Sequence, residues 1–158
     1  LAGGHMLWEK FAVAKSLDKL AQGIDGVRQI TWEDNGKKDG SVKINACLQN
    51  VVNLEATYRA LLENSRQVLG NRRFQIVIQD DRTPELEEFY YIVHYQVQEA
   101  IATGRFALMA DRIQEESRKR NIETRVFVDG SYVYLQMKKG GAGMYVVIAR
   151  QPAIREVK

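Results

Sequence analysis

Apolar and polar positions repeat with two different periods along this chain, and the switches between them set the order of elements. From Phe11 onward Val13, Leu17, Leu20 and Ile24 recur at helical spacing, with Lys15, Asp18 and Lys19 turned outward. Gly23 and Gly26 end this helix. Val27 to Glu33 then alternates, placing Arg28, Ile30 and Trp32 on one face and Gln29, Thr31 and Glu33 on the other. The polar, glycine-bearing stretch Asp34 to Gly40 reads as a hairpin connection into a second strand, Ser41 to Gln49. Val42, Ile44, Ala46 and Leu48 form the apolar face of that strand. Asn53 is placed to cap the next helix, because its side-chain oxygen can accept from a first-turn N–H, and Glu55 complements the helix dipole. Leu54, Tyr58, Leu61, Leu62 and Leu69 make the stripe, and Gly70 suits the left-handed position after it. Phe74 to Gln79 is the third strand, reached by a crossover expected to be right-handed.

The second half opens on Thr83-Pro84-Glu85, where threonine caps, proline fits the first turn and acids favour the N-terminus. Leu86, Phe89, Tyr90, Val93, Val97, Ala100 and Ile101 form a broad stripe; Ile92 and Tyr95 lie off it, which predicts a central helix with more than one neighbour. Gly104 ends it, and a second helix follows from Arg105, with Phe106, Met109, Ala110 and Ile113 inward. Its outer face pairs Arg112 with Glu116 and Glu115 with Lys119 at helical spacing. Three β runs finish the chain. Asp129-Gly130 between Thr124–Val128 and Tyr132–Lys138 predicts a tight hairpin, because both turn positions tolerate positive φ. Lys139 to Gly143 then loops into Met144–Ala149.

The fold class is therefore α+β: an αββαβ unit over residues 7–82, then two helices and a three-stranded meander over 83–158. Residues 1–6 (LAGGHM) read as a tag-and-cloning remnant. The short junction at Asp80–Thr83 predicts that the two halves share one core and unfold together. The start at Leu7-Trp8, running at once into a helix, suits a soluble piece of a longer protein, one cut just after a membrane anchor. The same start suits a native Met6. No stretch of about 20 apolar residues is present to span a membrane.

Composition excludes more than it assigns. The net charge of +3 is mild, and the 23 basic residues interleave with 20 acids, so no dedicated nucleic-acid face is implied. Cys47 is the single cysteine, sitting on a strand with no base near it in sequence; it reads as structural and dispensable rather than nucleophilic. One cysteine and two histidines, His5 and His94, cannot form a closed tetrahedral metal site. His94, among large residues, is expected to take a tyrosine or carbonyl neighbour rather than act as a base. The glycines of Lys139–Gly143 precede a strand, not a helix, so they lack the N-terminal amides a phosphate loop needs. No convergent set of acid, base and nucleophile can be assembled, and no cofactor is expected.

Leu17, Leu20, Ile24 and Gly26-Val27, followed by a strand, resemble several small families. These are ACT-type regulatory modules, heavy-metal-associated domains, cation-diffusion transporter cytoplasmic domains and the KH-like ring-building motifs of secretion and sporulation assemblies. Residues 11–80 resemble the last in their helix-strand-strand-helix-strand order. The heavy-metal domain needs a Cys-x-x-Cys loop and the transporter domain needs paired His and acidic ligands, both missing here. Gly23-Ile-Asp-Gly26 has the spacing of the RNA-binding KH loop, but it joins a helix to a strand and carries an acid that would repel phosphate. The resemblance implies a non-enzymatic protein-interaction or assembly module, the soluble domain of a membrane-anchored bacterial protein on its extracytoplasmic side.

The expected contact surface is Tyr132 and Tyr134 on one sheet face, with Lys138 and Lys139 beside it and Val147 on the uncharged last strand. Its partner would be another protein or a second copy. Two other readings stay open. One is a nucleic-acid-binding module using Tyr132, Tyr134, Lys138, Lys139 and Arg118–Arg120; the other is an ACT-like small-ligand sensor. The three cations are also what a helix C-terminus favours, and that reading is preferred.

Overall fold

The two alternating runs after the first helix pair as expected in a computed structural model that describes residues 15–20, 22–34 and 40–151. The chain divides into two units, Leu1–Gln79 and Asp80–Lys158. The tag remnant, residues 7–14 and residues 35–39 of the expected hairpin loop lie outside the described residues.

In the first unit, helix α1 (described at 15–20 and 22–23) buries Leu17, and Ile24 just after it is buried too. Strand β1 (Val27–Asp34) runs antiparallel to β2 (Val42–Leu48), and β2 runs parallel to β3 (Phe74–Gln79), giving the order β1-β2-β3. Helix α2 (Leu54–Leu69) crosses from β2 to β3 and packs on β3. Its cap is the expected one: Asn53 Oδ1 accepts from Ala56 N at 3.0 Å. Gly70 takes φ 60° and ψ −123°, a positive-φ conformation that is not the left-handed helical one expected.

The face assignment on β1 needs correcting. A bulge between Val27 and Gln29 makes Arg28 the extra residue, so Val27 and Ile30 are both buried while Arg28 is exposed. An inserted residue shifts the two-residue period by one, and alternation alone misplaces whatever precedes it. Where β1 begins, Gly26 sits at φ +86° and its carbonyl oxygen accepts from Gln49 N at 2.9 Å. Beside it the Thr57 hydroxyl donates to Asp25 O at 2.8 Å. These two bonds pin the helix-strand corner to the end of β2 and the start of α2.

Asp80 lies in the second unit, where its carboxylate accepts from Arg82 Nε and from Tyr145 N of a strand that follows. Helix α3 (Pro84–Thr103) starts as the sequence indicates: Thr83 Oγ1 accepts from Leu86 N at 3.3 Å, with proline in the first turn. Gly104 closes it in the left-handed conformation, φ 78° and ψ 5°. Helix α4 (Phe106–Lys119) follows at once and packs against α3. Strands β4 (Glu123–Val128), β5 (Tyr132–Lys139) and β6 (Ala142–Ala149) form an antiparallel meander in the order β4-β5-β6.

The core of this unit joins Leu86, Phe89, Val93 and Val97 of α3 to Met109 and Ile113 of α4 and to Val133, Leu135 and Met137 of β5. Each large side chain fully removed from water here contributes about 1.5–3 kcal/mol relative to exposure. A buried polar link fixes α4 to β4: the Ser117 hydroxyl donates to Ile122 O and lies 2.8 Å from the Thr124 hydroxyl, while Gln114 Nε2 donates to Thr124 O at 2.7 Å.

The β4–β5 hairpin is tight, as expected, with β4 ending at Val128 and β5 starting at Tyr132; Gly130 does not take positive φ, and the Asp129 carboxylate makes the turn by accepting from Ser131 N and Tyr132 N at 2.8 and 2.7 Å. The glycine loop is in turn tighter than expected. Lys139 pairs with Ala142, so Gly140 and Gly141 make the whole turn, with Gly140 at φ +61°, and β6 starts at Ala142 rather than Met144.

Candidate functional site

The expected contact residues do not form one surface. On β5, Tyr132, Tyr134, Gln136 and Lys138 point to the side opposite the helices, as alternation requires. Tyr134 is 0% exposed, and its hydroxyl donates to Asp129 Oδ2 at 2.6 Å. It is a structural residue that stabilises the β4–β5 turn, not a contact residue. Its ring lies 5.9 Å from that of half-buried Tyr132. Gln136 and Tyr145 of the same face are buried too. Lys138 is half-buried on this face. Lys139 points the other way, and its Nζ donates to Glu85 Oε1 at 2.6 Å and Arg120 O at 2.9 Å. It ties the β5–β6 turn to the start of α3 and the end of α4. Val147 is half-buried opposite Tyr134 in the register.

Strand β6 is an edge of its sheet. In a hairpin with a two-residue turn the flanking pair Lys139–Ala142 exchanges main-chain bonds, and pairs then alternate. The N–H and C=O groups of Gly143, Tyr145, Val147 and Ala149 therefore point away from β5. One of these positions is guarded from within: Tyr145 N donates to Asp80 Oδ2 at 2.9 Å. The Asp80 side chain is 0% exposed and accepts from Arg82 Nε at 2.8 Å and Arg82 Nη2 at 3.0 Å. The hydrogen bond to Asp80 holds the Arg82 guanidinium above its ordinary pKa. Among the described residues no hydrogen bond reaches the outward groups of Val147 and Ala149. Arg150, just beyond the strand, is engaged elsewhere: its Nη1 donates to Asp129 O at 2.6 Å and its guanidinium lies 4.6 Å from the Phe106 ring centroid.

Among the other edges, β1 and β4 carry charges within the strand, and the uncharged β3 is flanked by Arg72, Arg73, Asp80 and Asp81. The longer β6 has no charge along its length.

A second surface lies on α3, and sequence reading did not find it. Tyr91 and Tyr95 are 59% and 57% exposed, opposite the buried Phe89, Val93 and Val97. Tyr95, off the main stripe and expected to meet a second neighbour of the helix, is exposed instead. The Tyr95 hydroxyl donates to the Tyr91 hydroxyl at 3.4 Å, and the rings meet edge-on at 5.9 Å. That hydrogen bond raises the Tyr95 phenol above its ordinary pKa. His94 stacks 4.0 Å from Tyr95, and its Nδ1 lies 2.6 Å from Tyr91 O. A carbonyl only accepts, so Nδ1 is the donor in this contact. His94 thus has the tyrosine and carbonyl neighbours expected of it. The signal for the patch was the four-residue spacing of Tyr91 and Tyr95 on the side away from Phe89.

The remaining chemistry-bearing residues are structural in their contacts. Cys47 Sγ donates to Gln79 Oε1 at 3.3 Å, across the β2–β3 pair. Cys47→Ser, which keeps a donor there, is expected to change stability by less than about 1 kcal/mol, read from the urea midpoint. The basic cluster on α4 is largely spent on its own helix: Arg118 Nε donates to Gln114 O at 3.3 Å, and Lys119 and Arg120 lie 3.3 and 4.0 Å from Glu116 carboxylate oxygens. Among the described residues no group of three His, Cys, Asp or Glu side chains could hold a metal ion. Comparison with family models, with characterised proteins and with solved structures gives no match.

Proposed function

We propose that the chain is a non-enzymatic interaction and assembly module whose β6 edge pairs with the same strand of a second copy. The observation that supports this best is the edge itself. Val147 and Ala149 direct main-chain donors and acceptors outward from an uncharged, β-branched strand, with the Asp80 clasp covering only Tyr145. Unpaired main-chain groups on such a strand gain most by extending the sheet across a subunit boundary. The likeness of residues 11–80 to ring-building motifs extends the proposal to the soluble part of a membrane-anchored bacterial protein. Among the described residues no helix is long and apolar enough to cross a membrane.

The test is self-association. Wild-type protein is expected to form oligomers at high concentration by light scattering. Val147→Lys places like charges across the pairing and is expected to abolish them while circular dichroism stays native. Ala149→Pro removes an outward N–H without touching the β5 ladder, and is expected to do the same. A wild type that stays monomeric at high concentration overturns the proposal, as do oligomers that survive both substitutions.

A further inference from the structure

Helix α3 is acidic on a basic chain. It carries Glu85, Glu87, Glu88 and Glu99 with no lysine or arginine, while the whole chain bears a net charge of +3. Two of these carboxylates are neutralised by neighbours, Glu85 by Lys139 at 2.6 Å and Glu99 by Arg112 at 3.3 Å. Glu87 and Glu88 remain exposed one turn before Tyr91, on the same side of the helix. Arg82, the cation that attracts Glu87, already holds Asp80 with two bonds. The outward face of α3 therefore runs from two carboxylates into the rings of Tyr91, His94 and Tyr95.

Carboxylates beside clustered aromatic rings are the chemistry that recognises organic cations. A guanidinium or ammonium over a tyrosine face is attracted by the ring quadrupole, and a carboxylate one turn away supplies the charged hydrogen bond. The rings hold each other in place through the Tyr95–Tyr91 hydroxyl bond and the His94 stack, so little side-chain freedom is left to lose on binding. The face is the convex side of one helix, which suits an extended segment laid along it rather than a small cation enclosed by walls.

We propose that this face docks a cationic, arginine- or lysine-bearing segment of a partner protein, through a surface separate from the β6 edge. The segment's cations sit over Tyr91 and Tyr95 and pair with Glu87 and Glu88.

The experiment is a titration of the full chain, isotopically labelled for nuclear magnetic resonance, with a capped hexa-arginine peptide. Shifts are expected at the Tyr91, His94 and Tyr95 rings and along the first half of α3. Replacing both tyrosines by alanine is expected to weaken binding about tenfold or more with an unchanged melting temperature, since both are exposed. Replacing both by phenylalanine, which keeps the ring faces, is expected to retain affinity within about threefold. Glu87→Gln with Glu88→Gln is expected to weaken binding and flatten its salt dependence. Peptide shifts located elsewhere, or an affinity indifferent to the tyrosine-to-alanine change, overturn the proposal. Shifts at α3 that appear on concentrating the protein without peptide assign the face to a second copy and also overturn it. Loss of β6-dependent oligomers has no bearing on this result, so the two proposals fail separately.

Discussion

Gly26→Ala is expected to destabilise the first unit by about 2–4 kcal/mol, two effects adding at one position. The backbone there has φ +86°, which an L side chain adopts at a cost of about 1–2 kcal/mol. A Cβ at this position would also meet Val51 Cγ2 at 2.9 Å and Val51 Cα at 3.3 Å. The corner cannot relax easily, because Gly26 O accepts from Gln49 N and Asp25 O accepts from the Thr57 hydroxyl. Gly40 separates the two effects: its φ is +75° but nothing lies within 4 Å of an added Cβ. Urea midpoints should therefore show Gly26→Ala costing clearly more than Gly40→Ala. Equal losses would mean that the approach of Val51 does not matter.

Asp80→Ala is expected to cost about 2–3 kcal/mol and to increase self-association. The carboxylate accepts four hydrogen bonds, three from Arg82 (N, Nε and Nη2) and one from Tyr145 N. Arg82 is partly exposed and can return to water, so the loss falls mainly on the Tyr145 N–H and on the tether between the start of the unit and β6. Asn does not repair it. An amide has one acceptor oxygen, so its NH2 group must face either Arg82 or Tyr145 N, donor against donor. Removing the clasp also adds Tyr145 to the open part of the edge. Sedimentation velocity should then show more oligomer than wild type at equal concentration. A stable, strictly monomeric variant would count against the clasp as an edge guard.

What could be read from the sequence was local. Asn53, Thr83, Pro84 and Gly104 act within a turn of where they stand, and each marks the helix end it was expected to mark. Strand β3 was readable for the same reason, as a short run bounded by polar residues. The failures depend on something beyond the local window. The Arg28 bulge is visible only against β2, since an inserted residue leaves no composition signal. The Asp80 clasp joins residues far apart in sequence. Tyr134 was misplaced because tyrosine is at home on a wet face or in a core, and the deciding factor is the Asp129 carboxylate that takes its hydroxyl. Ile92, off the main stripe of α3, packs on the second unit's own cluster, while Tyr95 stands exposed, and periodicity along one helix does not tell these two apart.

Amide hydrogen exchange at Val147, followed from dilute to concentrated protein, tests the assembly reading most directly. The Tyr145 amide, already held by Asp80, should be protected at every concentration. The Val147 and Ala149 amides should exchange freely in the dilute monomer and slow progressively as the protein is concentrated, in step with the oligomer seen by sedimentation. Exchange at Val147 that stays fast at all concentrations, or that is already slow in the dilute monomer, would contradict pairing through β6.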